Sequence, residues 1–380
     1  MMDFTLSKEQ LIIQNIAKEF VEKHLAPVVE QIEQENAIPE SILKAMSELD
    51  FFALPYEEKY GGANAGYDGY ILVVEQIAKV SRAATAVISA HTLGLGAITK
   101  FGTEEQLKKY LGPCCKGEWI ASFAFTEPST GSDPKQITTT AVKDGDGFII
   151  NGTKRFISNA VYDGPMVIFA KDAISGKPTA FIIDKFTQGY SISEPWHKMG
   201  TRGQKLVDVY FKDLRIPAAN LLGELGQGYP ILQYGISFGK IGIAANGLGA
   251  IGSSLEQSIK YAKERVHRDG VIAKFPTIQT KIADLAIMLE AARWLTYRLG
   301  FLANDIKDQT DFIKNAALTK TFVSEMAVKS ARLAIEIHGS YGLMEDYKTA
   351  RDYRDAIFGP LTEGVSDMQK IIVAGILLKD

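Results

Sequence analysis

The sequence predicts an α+β protein in which a β-rich segment is flanked by two helical ones. Three observations carry that expectation. Apolar residues recur at helical spacing up to about residue 118, and short strand-like runs separated by turn clusters fill 119–226. Helical periodicity then returns and holds to the end. We therefore expect three domains: 1–118 helical, 119–226 a β-sheet domain, and 227–380 helical, built as a four-helix bundle. A chain of 380 residues, 46% hydrophobic and 23% charged, can bury a core for each.

In the first segment Ser7 and Gln10 have capping-box spacing, and Leu11, Ile16 and Phe20 follow on one face. Thr103 and Gln106 repeat the signal. The Gly/Pro/Asn-rich stretch 55–66 should break the helices, and the small apolar stretch 83–98 should form a buried one. In the second segment the expected strands are 148–150, 166–169, 180–183 and 207–211, with turns at 144–147 and 175–178. This block ends near Gly226-Gln227-Gly228. In the third, Ile278, Ile282, Leu285, Leu289, Ala292 and Leu299 form one apolar stripe. A last helix is expected to begin at Ser366, with Gln369 completing a capping box. Met368, Ile372 and Leu378 would carry it into the packed body.

A net charge of -3 excludes a nucleic-acid or anionic-membrane surface. The longest apolar run, 241–252, is too short and too glycine-rich to span a bilayer. Met1-Met2-Asp3-Phe4 opens no secretory signal, so the expected compartment is cytoplasmic. The adjacent Cys114 and Cys115 make no disulfide framework and read as a buried reduced pair. The five histidines show no metal spacing, and no metal is expected.

One carboxylate stands out. Glu363 lies in a short Pro/Gly loop among Phe358, Leu361 and Val365, just before the last helix. A half-desolvated carboxylate has a raised pKa and can act as a base near neutrality. Arg354-Asp355-Ala356 and Thr362-Glu363-Gly364-Val365-Ser366 resemble the C-terminal base motif of the acyl-CoA dehydrogenase family. Further motifs follow that family's order: Thr126-Glu127-Pro128 with Gly131-Ser132-Asp133, the run from Asn151 to Asn159, and Lys198-Met199-Gly200-Thr201-Arg202. Then come the run from Pro217 to Gly223, Tyr261-Ala262-Lys263-Glu264-Arg265 and Ile337-His338-Gly339. The resemblance covers nearly the whole chain and points to the short-chain, butyryl-CoA dehydrogenase-like branch.

The resemblance implies FAD-dependent α,β-dehydrogenation of an acyl thioester. Glu363 would take the α-proton while a hydride passes from the β-carbon to flavin N5. Phe123, Phe125 and Thr126 would lie along the flavin, and Ser132 would serve the pyrophosphate and CoA. Phe156 stands in place of a Trp beside the flavin, and Ser158 in place of a Thr that bonds near N5. Lys240, Thr362 and Gly364 would line the substrate site. Arg265, His267, Glu336, Gly339 and Val365 would complete the cofactor site, part of it in a neighbouring subunit. The family further implies an acyl-CoA substrate, an electron-transferring flavoprotein as acceptor, and a homotetramer.

Departures from the family's pattern are concentrated in a few motifs, those at Arg268-Asp269 and Glu336 lying where the resemblance puts the FAD phosphates and adenosine. Arg268-Asp269 replaces Phe-Gly, Glu336 replaces an amide, Val365 a Thr, Asp367 a Glu or Gln, and Lys240 an Arg. Either Arg268 compensates for Glu336 or FAD affinity has weakened there. Thr362 in place of a Tyr, with Val365, leaves room for a branched, cyclic or otherwise unusual acyl group. Ala84 at the place of a glutaryl-specific arginine disfavours oxidative decarboxylation. Two alternatives stay open: a dehydrogenase of an acyl or aminoacyl group on a carrier protein, and a non-catalytic acyl-CoA-binding member.

Overall fold

The computed structural model describes residues 5–379; Met1–Phe4, on which the reading of the N-terminus rests, and Asp380 lie outside the described residues. The chain opens with helices α1 (Lys8–Phe20), α2 (Val29–Glu35), α3 (Glu40–Glu48), α4 (Gly66–Ala78), α5 (Arg82–Phe101) and α6 (Glu104–Cys115). Both expected capping boxes form, at Ser7–Gln10 and Thr103–Gln106, because each needs only residues three apart. With few charges, α5 can be buried along most of its length, packed between α4 and a long later helix. Cys114 and Cys115 are buried and unpaired in α6.

The middle of the chain forms a mixed sheet of eight strands. They are β1 (Ser122–Ala124), β2 (Thr140–Asp144), β3 (Gly147–Ser158), β4 (Pro165–Asp172), β5 (Pro178–Asp184), β6 (Tyr190–Ile192), β7 (Leu206–Pro217) and β8 (Leu221–Leu222). The order is β6-β7-β3-β2-β4-β5-β8, with β1 alongside β4. Pairing is antiparallel except for β1 with β4 and β2 with β4. The register of β3 on β7 slips between Lys154 and Ile157, a bulge that turns Arg155 and Phe156 out of the ladder.

Six helices follow: α7 (Gly228–Glu264), α8 (Pro276–Asn304), α9 (Gln309–His338), α10 (Lys348–Ala356), α11 (Phe358–Leu361) and α12 (Ser366–Leu377). α7, α8 and α9 pack on one another around Leu248, Ile251, Leu285, Ala292 and Val323, and α7 also seats α4 and α5. No helix of the described residues is long and apolar enough to cross a membrane.

The last helix corrects two expectations. It does begin at Ser366, but Val365 is its N-cap and no side chain caps it. Gln369 instead turns back to the Glu363 carbonyl, with Nε2 donating at 3.4 Å. Nor does Leu378 enter the body: it is 82% exposed, as are much of Ile371 and Leu377. A short helix that rests mainly on α9 can bury one face only.

Candidate active site

The link between α11 and α12 carries Glu363 at φ 51° and Gly364 at φ 84°, both left-handed. A non-glycine residue holds that conformation only when its surroundings enforce it. Lys320 of α9 does so from beneath: its Nζ donates to the Gly364 carbonyl at 2.7 Å and to that of Pro360 at 3.2 Å. The Thr362 hydroxyl closes the turn on the Phe358 carbonyl at 3.2 Å. The turn aims the carboxylate at α7, where Gly239 receives it. A Cβ at position 239 would stand 2.7 Å from Glu363 Oε2, so this close approach needs glycine.

Burial raises the Glu363 pKa to about 7, against the opposing pull of Lys320 and Lys240. The same burial lowers each of these two lysines to about 8, with Glu363 pulling the other way. The carboxylate is therefore poised between its two protonation states at neutrality. The source of desolvation differs from expectation. Leu361 is 60% exposed, so α7 and α9, and not all of the sequence neighbours, exclude the water. Behind α7, Tyr70 donates to Ser89 Oγ at 3.2 Å, and a Cβ at Gly242 would meet both hydroxyls. That pair joins α4 to α5 where Gly242 brings α7 close to both.

Across the sheet, the β3 bulge sets Phe156 at φ 59° and leaves it 51% exposed, its ring 5.5 Å from that of Trp196. Arg155 fixes the bulge by pairing with Asp208 at 2.9 Å, and its amide donates to the Thr126 carbonyl at 2.7 Å. One step back, Lys154 and Glu127 form a fully buried ion pair at 2.8 Å. Burial would raise the Glu127 pKa, but Lys154 and the Thr138 and Thr139 donors bring it down to about 2. These bonds tie the loop bearing Thr126 to the strand bearing Phe156 and Ser158. Phe125 is core, Phe123 packs on Phe169 and on α7 at Gly235, and Ser132 is exposed. Ser158 Oγ accepts from Gln204 Nε2 at 2.7 Å.

The remaining expected residues gather elsewhere. Arg265 caps the far end of α7 over the Tyr341 ring, His267 lies in a two-stranded hairpin, and Gly339 ends α9 at φ 63°. Lys240 and Glu264 are 24 residues apart on α7, so this cluster lies about 36 Å along the helix from Lys240. The expected compensation of Glu336 by Arg268 is not found. Glu336 pairs with Lys281 at 2.6 Å and Arg332 at 3.0 Å, whereas Arg268 turns at the hairpin tip with φ 52°. Helix geometry explains it: Arg332 is one turn back on α9, and Lys281 lies on the adjoining α8. Arg82 is likewise committed, donating to Asn246 Oδ1 and the Asp352 carbonyl.

Several residues around Glu363 and the bulge suit a large, flat, polar cofactor. Phe156 and Trp196 offer an open aromatic face, and the buried Ser366 Oγ, Gln369 Oε1 and Thr321 Oγ1 have no hydrogen-bond partner among the described residues. Sequence reasoning missed Gly239, Lys320 and Gln204. Lys320 leaves a trace, as a lone cation on the apolar α9 face of Ala316, Ala317 and Val323. Gly239 and Gln204 leave none.

Models of the acyl-CoA dehydrogenase N-terminal, middle and C-terminal domains match residues 7–118, 122–214 and 226–378. A subunit of the caffeyl-CoA reductase–Etf complex of Acetobacterium woodii is 35% identical over 378 residues, 98% of this chain and 99% of that protein. The butyryl-CoA dehydrogenase of Megasphaera elsdenii has the same fold, with a TM-score of 0.96 at 33% identity over 100% of both chains. An acyl-CoA dehydrogenase of Bacillus anthracis complexed with FAD gives a TM-score of 0.93 at 29% identity, over 100% of this chain and 68% of that one.

Proposed function

Because the chain belongs to the acyl-CoA dehydrogenase family, we propose that it is an FAD-dependent oxidoreductase that dehydrogenates an acyl-CoA thioester between Cα and Cβ, with Glu363 as base. The observation that carries the role of Glu363 is its carboxylate, sunk against Gly239 with a pKa raised to about 7.

Bound FAD supplies the hydride acceptor. The chain's own part is to hold the thioester, take a proton and keep water out. Phe156, Thr126 and Ser158 would bound the flavin ring, with Phe123 and Phe125 behind them, and Ser132 would meet the pyrophosphate and CoA. Glu363 takes the α-proton. Its lost solvation narrows the pKa gap to the C–H bond, while Lys240 and Lys320 keep the ionised form accessible. Gly364 lets the backbone turn closely behind the thioester.

Thr362 and Val365 leave width beside the reacting carbons, and the Tyr70–Ser89 pair would limit depth where α4, α5 and α7 meet. A short acyl group, branched or otherwise wide, fits that outline. The same Glu363, near half protonation at neutrality, can also return a proton to Cα. This favours a second reading, reduction of an enoyl thioester, consistent with the reductase complex subunit among the relatives. That relative's Etf partner supports an electron-transferring flavoprotein as the redox partner of this chain.

Residues suited to the cofactor lie at both ends of a helix segment about 36 Å long, too far for one small molecule to touch both in one chain. This supports a cofactor shared between copies, as in a homotetramer. The test of function is the visible spectrum of purified protein before and after anaerobic addition of an acyl-CoA panel. Bleaching of the flavin band by one thioester confirms the reaction and names the substrate. No bleaching by any of them moves the substrate to a carrier protein, and a colourless protein that takes up no FAD overturns the enzyme.

A further inference from the structure

We propose that Gln204 is a positioning residue that turns the hydroxyl proton of Ser158 toward the cofactor, through a hydrogen-bond relay that begins at Lys198. The inference rests on the reading that Ser158 faces the flavin, and it adds how that hydroxyl is oriented.

The relay has a direction that can be worked out from donor and acceptor chemistry alone. Lys198 Nζ contacts the Thr201 carbonyl at 2.8 Å, Thr201 Oγ1 at 3.2 Å and Gln204 Oε1 at 3.4 Å. An ammonium group donates only, so the Gln204 atom that faces it must be the amide oxygen. The other end of the same amide is then the NH2 group, which lies 2.7 Å from Ser158 Oγ. Ser158 must therefore accept from Gln204, and its own proton points elsewhere. Among the described residues that hydroxyl has no other hydrogen-bond partner, and Ser158 is only partly buried. The free proton is left for a ligand beside Phe156.

The relay is also rigid. Gln204 is 2% exposed, and its backbone N–H donates to the Thr201 carbonyl at 3.3 Å. Thr201 is buried, its backbone held by Asp355. A serine hydroxyl is otherwise a rotor with three staggered positions. Fixing its oxygen as an acceptor removes the position that faces Gln204 and leaves the proton only those that point away from it, which favours donation wherever negative charge builds on a bound group. A glutamine in a loop after Gly203, with no catalytic chemistry of its own, acts here only through its neighbour.

The experiment is a double-mutant cycle on the FAD-loaded enzyme with Ser158→Ala and Gln204→Met. It reads the midpoint potential and visible spectrum of the bound flavin as well as kcat and KM. S158A should move the potential to a more negative value and lower kcat about tenfold. Q204M should move both the same way by a smaller amount, about fivefold in kcat, with KM within about twofold. In the S158A background Q204M should have no further effect. An equal Q204M shift in both backgrounds, or none in either while S158A is effective, overturns the relay alone. A silent S158A overturns the placement of Ser158 itself. Should Q204M not fold, Gln204→Asn, one methylene too short to bridge Lys198 and Ser158, must show the same dependence on Ser158.

Discussion

At the residue scale the site turns on one carboxylate whose pKa lies near 7 because burial outweighs two lysines. A base must be ionised to accept a proton. The dehydrogenation rate, followed as flavin bleaching at limiting thioester, should therefore rise tenfold per pH unit below about 7 and level off above it. E363Q should lower kcat by about 10² to 10⁴ while the flavin spectrum and thioester binding persist. Lys320 makes a separate prediction, since it both holds the Glu363 loop and lowers the carboxylate's pKa. Removing that cation disfavours the ionised form, so in K320M the pH profile should shift to higher pH. K320R, which keeps the charge, should restore part of the profile. A K320M profile that stays in place would show that the lysine only braces the loop.

At the element scale the decisive feature is that α7 carries glycine where another element must come close. In an exposed helix, replacing Gly by Ala adds about 1 kcal/mol of stability. At Gly239 the new methyl would meet Glu363 Oε2 at 2.7 Å and push the carboxylate off its station. G239A should thus lose about 100-fold or more in kcat while circular dichroism and melting temperature hold or improve. A parallel loss of stability would mean the helix itself had been distorted. The elements were legible where their signals are local. The boxes at Ser7 and Thr103 form because i,i+3 chemistry suffices. The same spacing at Ser366 failed because Gln369 is drawn to the Glu363 carbonyl, a contact set by the tight turn before the helix. The β3 bulge left no local trace, since it arises from the slip of β3 against β7 and the Arg155–Asp208 pair.

At the scale of the whole molecule, the change from helical to strand-like periodicity and back revealed the three-part architecture, and the Pro/Gly loop among apolar residues singled out Glu363. The partners of Glu363 come from helices distant in sequence, and only the fold brings Gly239, Lys240 and Lys320 to it. One link remains beyond a single chain. Ile287, Trp294, Phe301, Leu318, Ile371 and Leu377 are exposed on the C-terminal helices, an apolar area that water disfavours. The Arg265 cluster lies at the other end of α7 from Lys240. Both features are accounted for together if another copy covers these helices and brings its own Arg265 end to this chain's flavin. Association and flavin retention should then be one equilibrium. On dilution, the mass from light scattering and the flavin-to-protein absorbance ratio should fall together. Ile371→Asp, placing a charge on an exposed apolar position of α12, should separate the copies and release flavin with helix content unchanged. If I371D separates the copies yet keeps its flavin, each chain holds the whole cofactor alone, and the Arg265 cluster serves something else.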